Sequence, residues 1–309
     1  MTRTAPVGRR QRRSTRTARG WRLSGASVLI AALALVGVSL AVYPMMASWL
    51  SSYNQSQLLQ EYEQKVAQAS PPRAEQWELA RRYNSVLQAG VDVEAGASIA
   101  TGTGTLTDES VAYADTLRAD DSGVMGRVKI ASIGVDLPIY HGTSDDVLNQ
   151  GAGHLEGSHL PVGGESTHSV ITAHRGLAQA EMFTHLDQVE VGELFVVEVL
   201  GEALTYRVAE TQVVQPEDTG SLRPVEGLDQ VTLITCTPLG INSHRILVTG
   251  ERVHLNGPEE AALAASMPEL PGFPWWIVIY ASALLVISLY VWRSGYAHHG
   301  PSPRRPDPR

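Results

Sequence analysis

The chain has 309 residues, a formal net charge of −8 and one cysteine, Cys236, which excludes an internal disulfide framework. The charge is uneven: eight arginines and no acid in the first 22 residues, four arginines against Asp307 after Trp292, and an acidic middle. An arginine-rich arm for nucleic acid is disfavoured, because an uncharged apolar run follows at once. The basic ends read instead as flanks that set membrane topology, with no nucleic-acid partner.

Residues 1–22 are read as a basic cytoplasmic tail and 23–49, dense in Ala, Leu, Val and Ile and free of charge, as a transmembrane helix. A cleavable signal peptide is the alternative for this run. Its length, and the lack of a small-x-small site before Tyr43-Pro44, favour a retained anchor. Residues 273–292 form a second uncharged run, with Trp275, Trp276, Tyr290 and Trp292 near its ends like interfacial anchors. Both tails, 1–22 and 293–309, then lie on the cytoplasmic side of the cell membrane, and the intervening domain lies outside. Neither run holds an ionisable residue of the kind that marks a transport pathway, which argues against a channel or transporter subunit.

Between the spans, 50–122 are read as a helical stalk and a connector. Leu58, Leu59, Tyr62 and Val66 recur at helical spacing, Ser70-Pro71-Pro72 interrupts, and a second helix runs over about 73–88. This pair is expected to be solvated, lifting the domain off the membrane. Residues 90–107, rich in Gly, Ala, Ser and Thr, are expected to be a flexible connector. The compact domain is placed at 123–256 and a linker at 257–272. Strands are expected at 125–130, 135–140 (with Pro138 marking an edge or bulge), 168–174, 193–200 and 204–214. Short helices are expected at 144–150 and 180–186. Many short strands with Gly and Pro turns indicate an all-β barrel or sandwich.

Val231 to Thr235 is β-branched and apolar, and reads as a buried strand ending at Cys236. Residues 237–243 are turn-rich, and 245–249 read as the return strand. If these strands are neighbours, Arg245 comes back beside Cys236, a thiol with an electrostatic partner. The alternative is an inert core cysteine beside a solvated arginine. An unpaired thiol outside the cell is open to oxidation, which favours a chemical role. Cysteine chemistry needs a proton shuttle, and His174, ending an apolar strand before Arg175-Gly176, holds the corresponding edge position. Thr235 is either strand core or a small substrate contact. His244 is expected to be structural, and the spacing of His154 and His159 favours loop packing over a metal site.

These residues carry a resemblance. TLITC at 232–236 matches the TLxTC signature of sortases, transpeptidases that act on cell-wall sorting signals. VMGRVKI (124–130), LPIYHGTS (137–144), GAGHLEGSHLPVGGESTHSVITAHRGL (151–177) and TLITCTPLGINSHRILVTGER (232–252) resemble, in order and spacing, the class C branch that polymerises pilins. The resemblance implies a closed eight-stranded β-barrel with short helices, preceded by a helical region and flanked by two transmembrane helices. It also implies that Cys236 is the nucleophile, His174 the catalytic histidine and Arg245 the catalytic arginine, with Thr235 touching substrate. No cofactor and no metal are implied. The partners are pilin subunits or surface proteins with LPxTG-like signals, and the enzyme is a monomer. Anchoring to cell-wall peptide, hydrolysis by a cysteine endopeptidase and a non-catalytic binding module are the rival readings. One departure stands out: 91–112 lack the Asp-Pro-aromatic lid tripeptide common in this branch, and the only Asp-Pro is Asp307-Pro308. Either a lid uses other residues, near Thr107-Asp108-Glu109, or the site is open.

Overall fold

The computed structural model describes residues 21–69, 71–88, 91–92, 101–102, 104–106, 112–119, 122–177, 179–254 and 271–297. Most of the two tails and most of the 257–272 linker lie outside these residues, as do most of 90–112 and with them the expected lid positions.

The chain forms two compact units, one of residues 1–43 and 275–309, the other of residues 44–274. In the first, the early part of helix α1 (Gly25–Val66) meets helix α4 (Trp275–Ala297). Arg22 N donates to Gly295 O at 3.1 Å, and the Trp21 indole donates to Trp292 O at 3.2 Å. Ser39 Oγ and Tyr280 OH lie 3.0 Å apart. The helices are therefore antiparallel, and both are long and apolar enough to cross a bilayer. The first span and the stalk helix, expected as separate elements, are one 42-residue helix with Pro44 inside it.

In the second unit the helical pair is not solvated, contrary to expectation. Helix α2 covers Arg73–Val86. Tyr62 and Val66 of α1, with Trp77, Ala80 and Tyr83 of α2, belong to the same buried cluster as the barrel strands. Tyr62 OH donates to Met125 O at 2.9 Å and accepts from Leu200 N at 3.1 Å. The helical spacing marked an apolar face correctly, but that face packs on the barrel, where burial of each large side chain contributes about 1.5–3 kcal/mol. Where described, the connector is paired. β1 (Leu87–Gln88) runs antiparallel to β4 (Thr105–Leu106), and β2 (Val91–Asp92) to β3 (Thr101–Gly102).

The barrel strands are β5 (Val124–Ile130), β6 (Val135–His141), β7 (Ala152–His154), β8 (Thr167–Thr172), β11 (Leu194–Val199), β12 (Glu202–Val214), β13 (Asp229–Thr237) and β14 (His244–Arg252). They close in the order β11-β12-β14-β13-β8-β7-β6-β5, with β5 pairing back on β11. Only β6–β7 and β8–β13 are parallel pairs. Pro138 sits one residue before β6 begins to pair with β7, where its missing N–H disrupts no β7 contact. Helix α3 (Asp145–Leu148) starts at Ser144, whose hydroxyl caps Val147 N. The helix expected at 180–186 is instead a hairpin of β9 (Arg175–Leu177) and β10 (Ala180–Met182), followed by a 3-10 turn at Leu186–Gln188. Met182, at φ 44°, breaks any helical path there.

Alternation sorts the site strands. Val231 and Leu233 of β13, Ile246 and Val248 of β14 and Ile171 of β8 join the main core. Their neighbours Ile234, Leu247 and Val170 form a second, smaller cluster with Leu155 and Leu222 on the other face. Cys236 falls in register with this second set.

Candidate active site

On β13 and β14 the directly opposed pairs run Thr232↔Thr249, Ile234↔Leu247 and Cys236↔Arg245. Opposed residues of an antiparallel ladder share a face, so the thiol and the guanidinium project together. On the other side, β8 runs parallel to β13 with Ile234 beside Thr172. The contact continues past the strand end: Ala173 N donates to Ile234 O at 3.2 Å, and Thr235 Oγ1 donates to Ala173 O at 2.8 Å. His174 follows two residues after Thr172, past the end of this pairing. The structure therefore brings Cys236 and Arg245 to one face at the sheet edge, while His174 lies two residues beyond the end of the β8–β13 pairing.

Cys236 is 8% exposed and Arg245 4%. Arg245 Nη1 donates to Asn242 O at 2.9 Å and to His244 O at 3.0 Å, which aims the guanidinium from its own turn. Asn242 adopts φ 59°, a left-handed conformation that asparagine tolerates. Burial pushes the Cys236 thiol up from its ordinary value, and the Arg245 charge pulls it back down. Burial also lowers the pKa of half-buried His174, opposed by Asp145 at the start of α3. The neutral thiol and neutral imidazole are thus the favoured forms of the pair near neutral pH.

Thr172, Val214, Gln215, Pro216, Asp218, Leu222, Ile234, Thr235 and Leu247 line a groove with Cys236 and Arg245. Its floor is apolar, and its far wall comes from the segment between β12 and β13. Thr235 lines this groove while its hydroxyl is committed to Ala173 O. His244 is bonded to Ser243 Oγ at 2.9 Å. His154 is fully buried, its Nε2 2.9 Å from His159 O and its Nδ1 2.9 Å from Tyr113 OH, with burial lowering its pKa to about 3. His154, at the end of β7, and His159 are packing residues. Among the described residues, no group of three or more His, Cys, Asp or Glu side chains is arranged to hold a metal ion.

Sequence reasoning missed three contributors. Asp145 acts on His174 from a helix 29 positions upstream in the chain, and no local signal marks it. The wall at 214–222 carries no motif. Arg175 could have been found, because it directly follows His174. Its Nη1 donates to Thr237 Oγ1 at 2.6 Å, and Nη2 lies 2.7 Å from Asp187 Oδ2.

Residues 128–253 match the family described as the sortase domain. The chain is similar to the crystal structure of sortase C-1 from Actinomyces oris, with 48% identity, 59% of this chain and 98% of that chain covered, and a TM-score of 0.53. It is similar to sortase C of Streptococcus pneumoniae, with 40% identity, 65% and 99% covered, and a TM-score of 0.56. Sortase D of Bacillus subtilis is 27% identical over 157 residues, covering 50% of this chain and 76% of the relative.

Proposed function

This chain belongs to the sortase family, with class C sortases among its structural neighbours, and from that premise we propose that it is a membrane-anchored transpeptidase that polymerises pilins. Cys236 is the nucleophile, His174 the proton shuttle and Arg245 the electrostatic donor. The observation that carries this reading is the register that sets Cys236 opposite Arg245, and the end of β8 two residues before His174 on the neighbouring strand supports it.

The Cys236 thiol gives its proton to His174, and the thiolate so formed attacks the Thr carbonyl of an LPxTG-like signal held in the groove. Arg245 faces the oxyanion as its negative charge develops. Collapse breaks the Thr–Gly bond, and the His174 imidazolium gives its proton to the departing glycine amine. The thioester retains the free energy of the cleaved amide, so no nucleotide is consumed. A lysine amine of the next pilin then attacks the thioester, losing its proton to His174, and the Cys236 thiolate departs. Thr235 lines the groove beside the nucleophile. The similar sortase C of Streptococcus pneumoniae has a pilin substrate specificity, which supports a pilin as the partner here. With the early part of α1 and α4 in the cell membrane, both termini are cytoplasmic and the barrel unit is extracellular.

The test uses the full chain in detergent micelles, an LPETG peptide and a pilin subunit, with products read by mass spectrometry for wild type, Cys236→Ala and His174→Ala. A Cys236-linked thioacyl adduct that resolves to a lysine isopeptide is the expected result. Transfer only to a cell-wall-type amine replaces polymerisation by anchoring. Hydrolysis despite abundant amine makes the protein an endopeptidase.

A further inference from the structure

The parallel pairing of β8 with β13 ends at Thr172 beside Ile234, and the hydrogen bonds that extend this ladder stop at Ala173, one residue short of His174. Beyond that point His174 O turns away and accepts from Phe183 N at 3.1 Å. The Arg175 side chain spans the gap by hydrogen bonds. Arg175 follows His174, and Thr237 follows Cys236. Arg175 Nη1 donates to Thr237 Oγ1 at 2.6 Å, Nε donates to Thr184 O at 3.1 Å, and Nη2 meets Asp187 Oδ2 at 2.7 Å. The Arg175 side chain is 10% exposed. Thr184 Oγ1 in turn accepts from Gly176 N at 3.1 Å. Gly176, at φ 75°, lies so close to Leu239 that a Cβ would meet the leucine side chain, so the segment after His174 and the turn after Cys236 are in direct contact.

We propose that Arg175 is a positioning residue that holds the His174 and Cys236 segments at a fixed separation by bridging Thr237 to Thr184 and Asp187. This rests on the reading of His174 as proton shuttle and Cys236 as nucleophile. A planar guanidinium reaches three acceptors at set angles, which an ammonium cannot reproduce. The alternation of β13 turns Thr237 away from the groove face that Cys236 shares, so Arg175 acts through the strand ends and touches no substrate.

The experiment compares wild type, Arg175→Met, Arg175→Lys, Thr237→Val and the double variant Arg175→Met/Thr237→Val, as full chains in detergent micelles. Each is assayed with a fluorogenic LPETG peptide and hydroxylamine as acceptor, for kcat and KM separately. Folding is read by urea pulse proteolysis, and the rate of Cys236 alkylation by iodoacetamide is followed against pH. Misplacement of a catalytic group by about 1 Å costs on the order of a hundredfold in rate, so Arg175→Met is expected to lose about that factor in kcat with KM little changed. Thr237→Val is expected to lose about tenfold on the same scale, Arg175→Lys to recover only part, and the double variant to be no worse than Arg175→Met. In wild type the alkylation profile carries an inflection from His174, and the variants weaken it. A folded Thr237→Val or Arg175→Met with unchanged kcat and an unchanged alkylation inflection overturns the proposal. So does a loss that appears in KM alone, or one that follows the urea midpoint across the series. If Arg175→Met does not fold, Thr237→Val decides, since it deletes only the cross-strand contact. A wild type that forms no adduct, or a His174→Ala variant with full kcat, sinks the functional reading instead. The alkylation inflection still reports in that case whether Arg175 sets the pairing of the two groups.

Discussion

Replacing Arg127 with methionine removes the cation from a buried cluster while keeping most of its volume. Arg127 lies on β5 with its side chain 5% exposed. Nε and Nη2 donate to the two carboxylate oxygens of Asp136 at 2.6 and 2.7 Å, and Nη1 lies 3.6 Å from both Glu63 and Glu198. Asp136 and Glu198 are 18% and 16% exposed, so the variant leaves two mostly buried carboxylates without their cation, and Glu63 at 34% is partly screened by water. Breaking a buried pair by removing one partner costs about 3–5 kcal/mol, and the partial exposure here places the expected loss near about 3 kcal/mol at pH 7.5. With a urea slope of roughly 1–3 kcal/mol/M, the unfolding midpoint falls by about 1–3 M. The pH dependence has a definite sign. Burial already raises the pKa of Glu198, against the opposing pull of Arg127. Losing that pull raises it further, so the folded variant binds more protons than the unfolded chain. Its deficit relative to wild type at the same pH is therefore fully developed at pH 7.5 and shrinks as the pH falls through the raised pKa. Pulse proteolysis of the full chain in urea at pH 7.5 and pH 5.5 reads both effects. A midpoint within about 0.3 M of wild type at pH 7.5, below one-third of the smallest expected fall, would refute the reasoning, as would a deficit equal at the two pH values.

Thr235→Val keeps the shape but leaves Ala173 O without its donor, at an expected cost of about 1–3 kcal/mol, while Thr235→Ser retains most stability; urea midpoints compare them, and a raised KM without a stability loss would show substrate contact instead. The pH profile of kcat/KM for thioester formation is expected to be bell-shaped. Its acid limb lies below the ordinary imidazole value and its alkaline limb above the ordinary thiol value, and Arg245→Gln moves the alkaline limb higher. His154, held near 3, stays uncharged when folded, so its contribution to stability is present above about pH 6.5 and is lost as the pH falls from there toward 3. His154→Gln should flatten this part of a stability-against-pH curve measured by thermal melts. Gly250→Ala drives a Cβ into the Phe195 ring and should cost about 1–3 kcal/mol in urea unfolding.

The Cys236–Arg245 pairing was more legible than its surroundings because its signals are local. The β-branched run 231–235, the turn residues at 237–243 and the return strand form a hairpin, so the Cys236–Arg245 pairing follows from a loop of six residues between paired Thr237 and His244. His174 is 62 residues from Cys236 in the chain, and the parallel pairing of β8 with β13, which no local pattern specifies, stops short of both; the family resemblance supplied their link. The helical pair was misjudged for a related reason. Tyr62, Val66, Trp77, Ala80 and Tyr83 mark apolar faces, but spacing along a helix does not tell what lies opposite. The hairpin at 175–182 was lost because its short apolar residues fit either period, and no local signal marks the positive φ of Met182. The one-residue offset that separates the main core from the groove cluster was readable in β13 once its pairing was known.

Tyr62 and Leu200, joined through one phenolic oxygen, are 138 residues apart in the chain. During synthesis the α1 face that carries Tyr62 is made long before β11, and it has no barrel to bury against until β5 and β11 meet. The seam that closes the barrel and the shelf that receives the helix are completed together. A catalytic fragment begun at Gly123 would accordingly be born with that shelf bare, and the natural starting point for an independently stable fragment lies upstream of Tyr62.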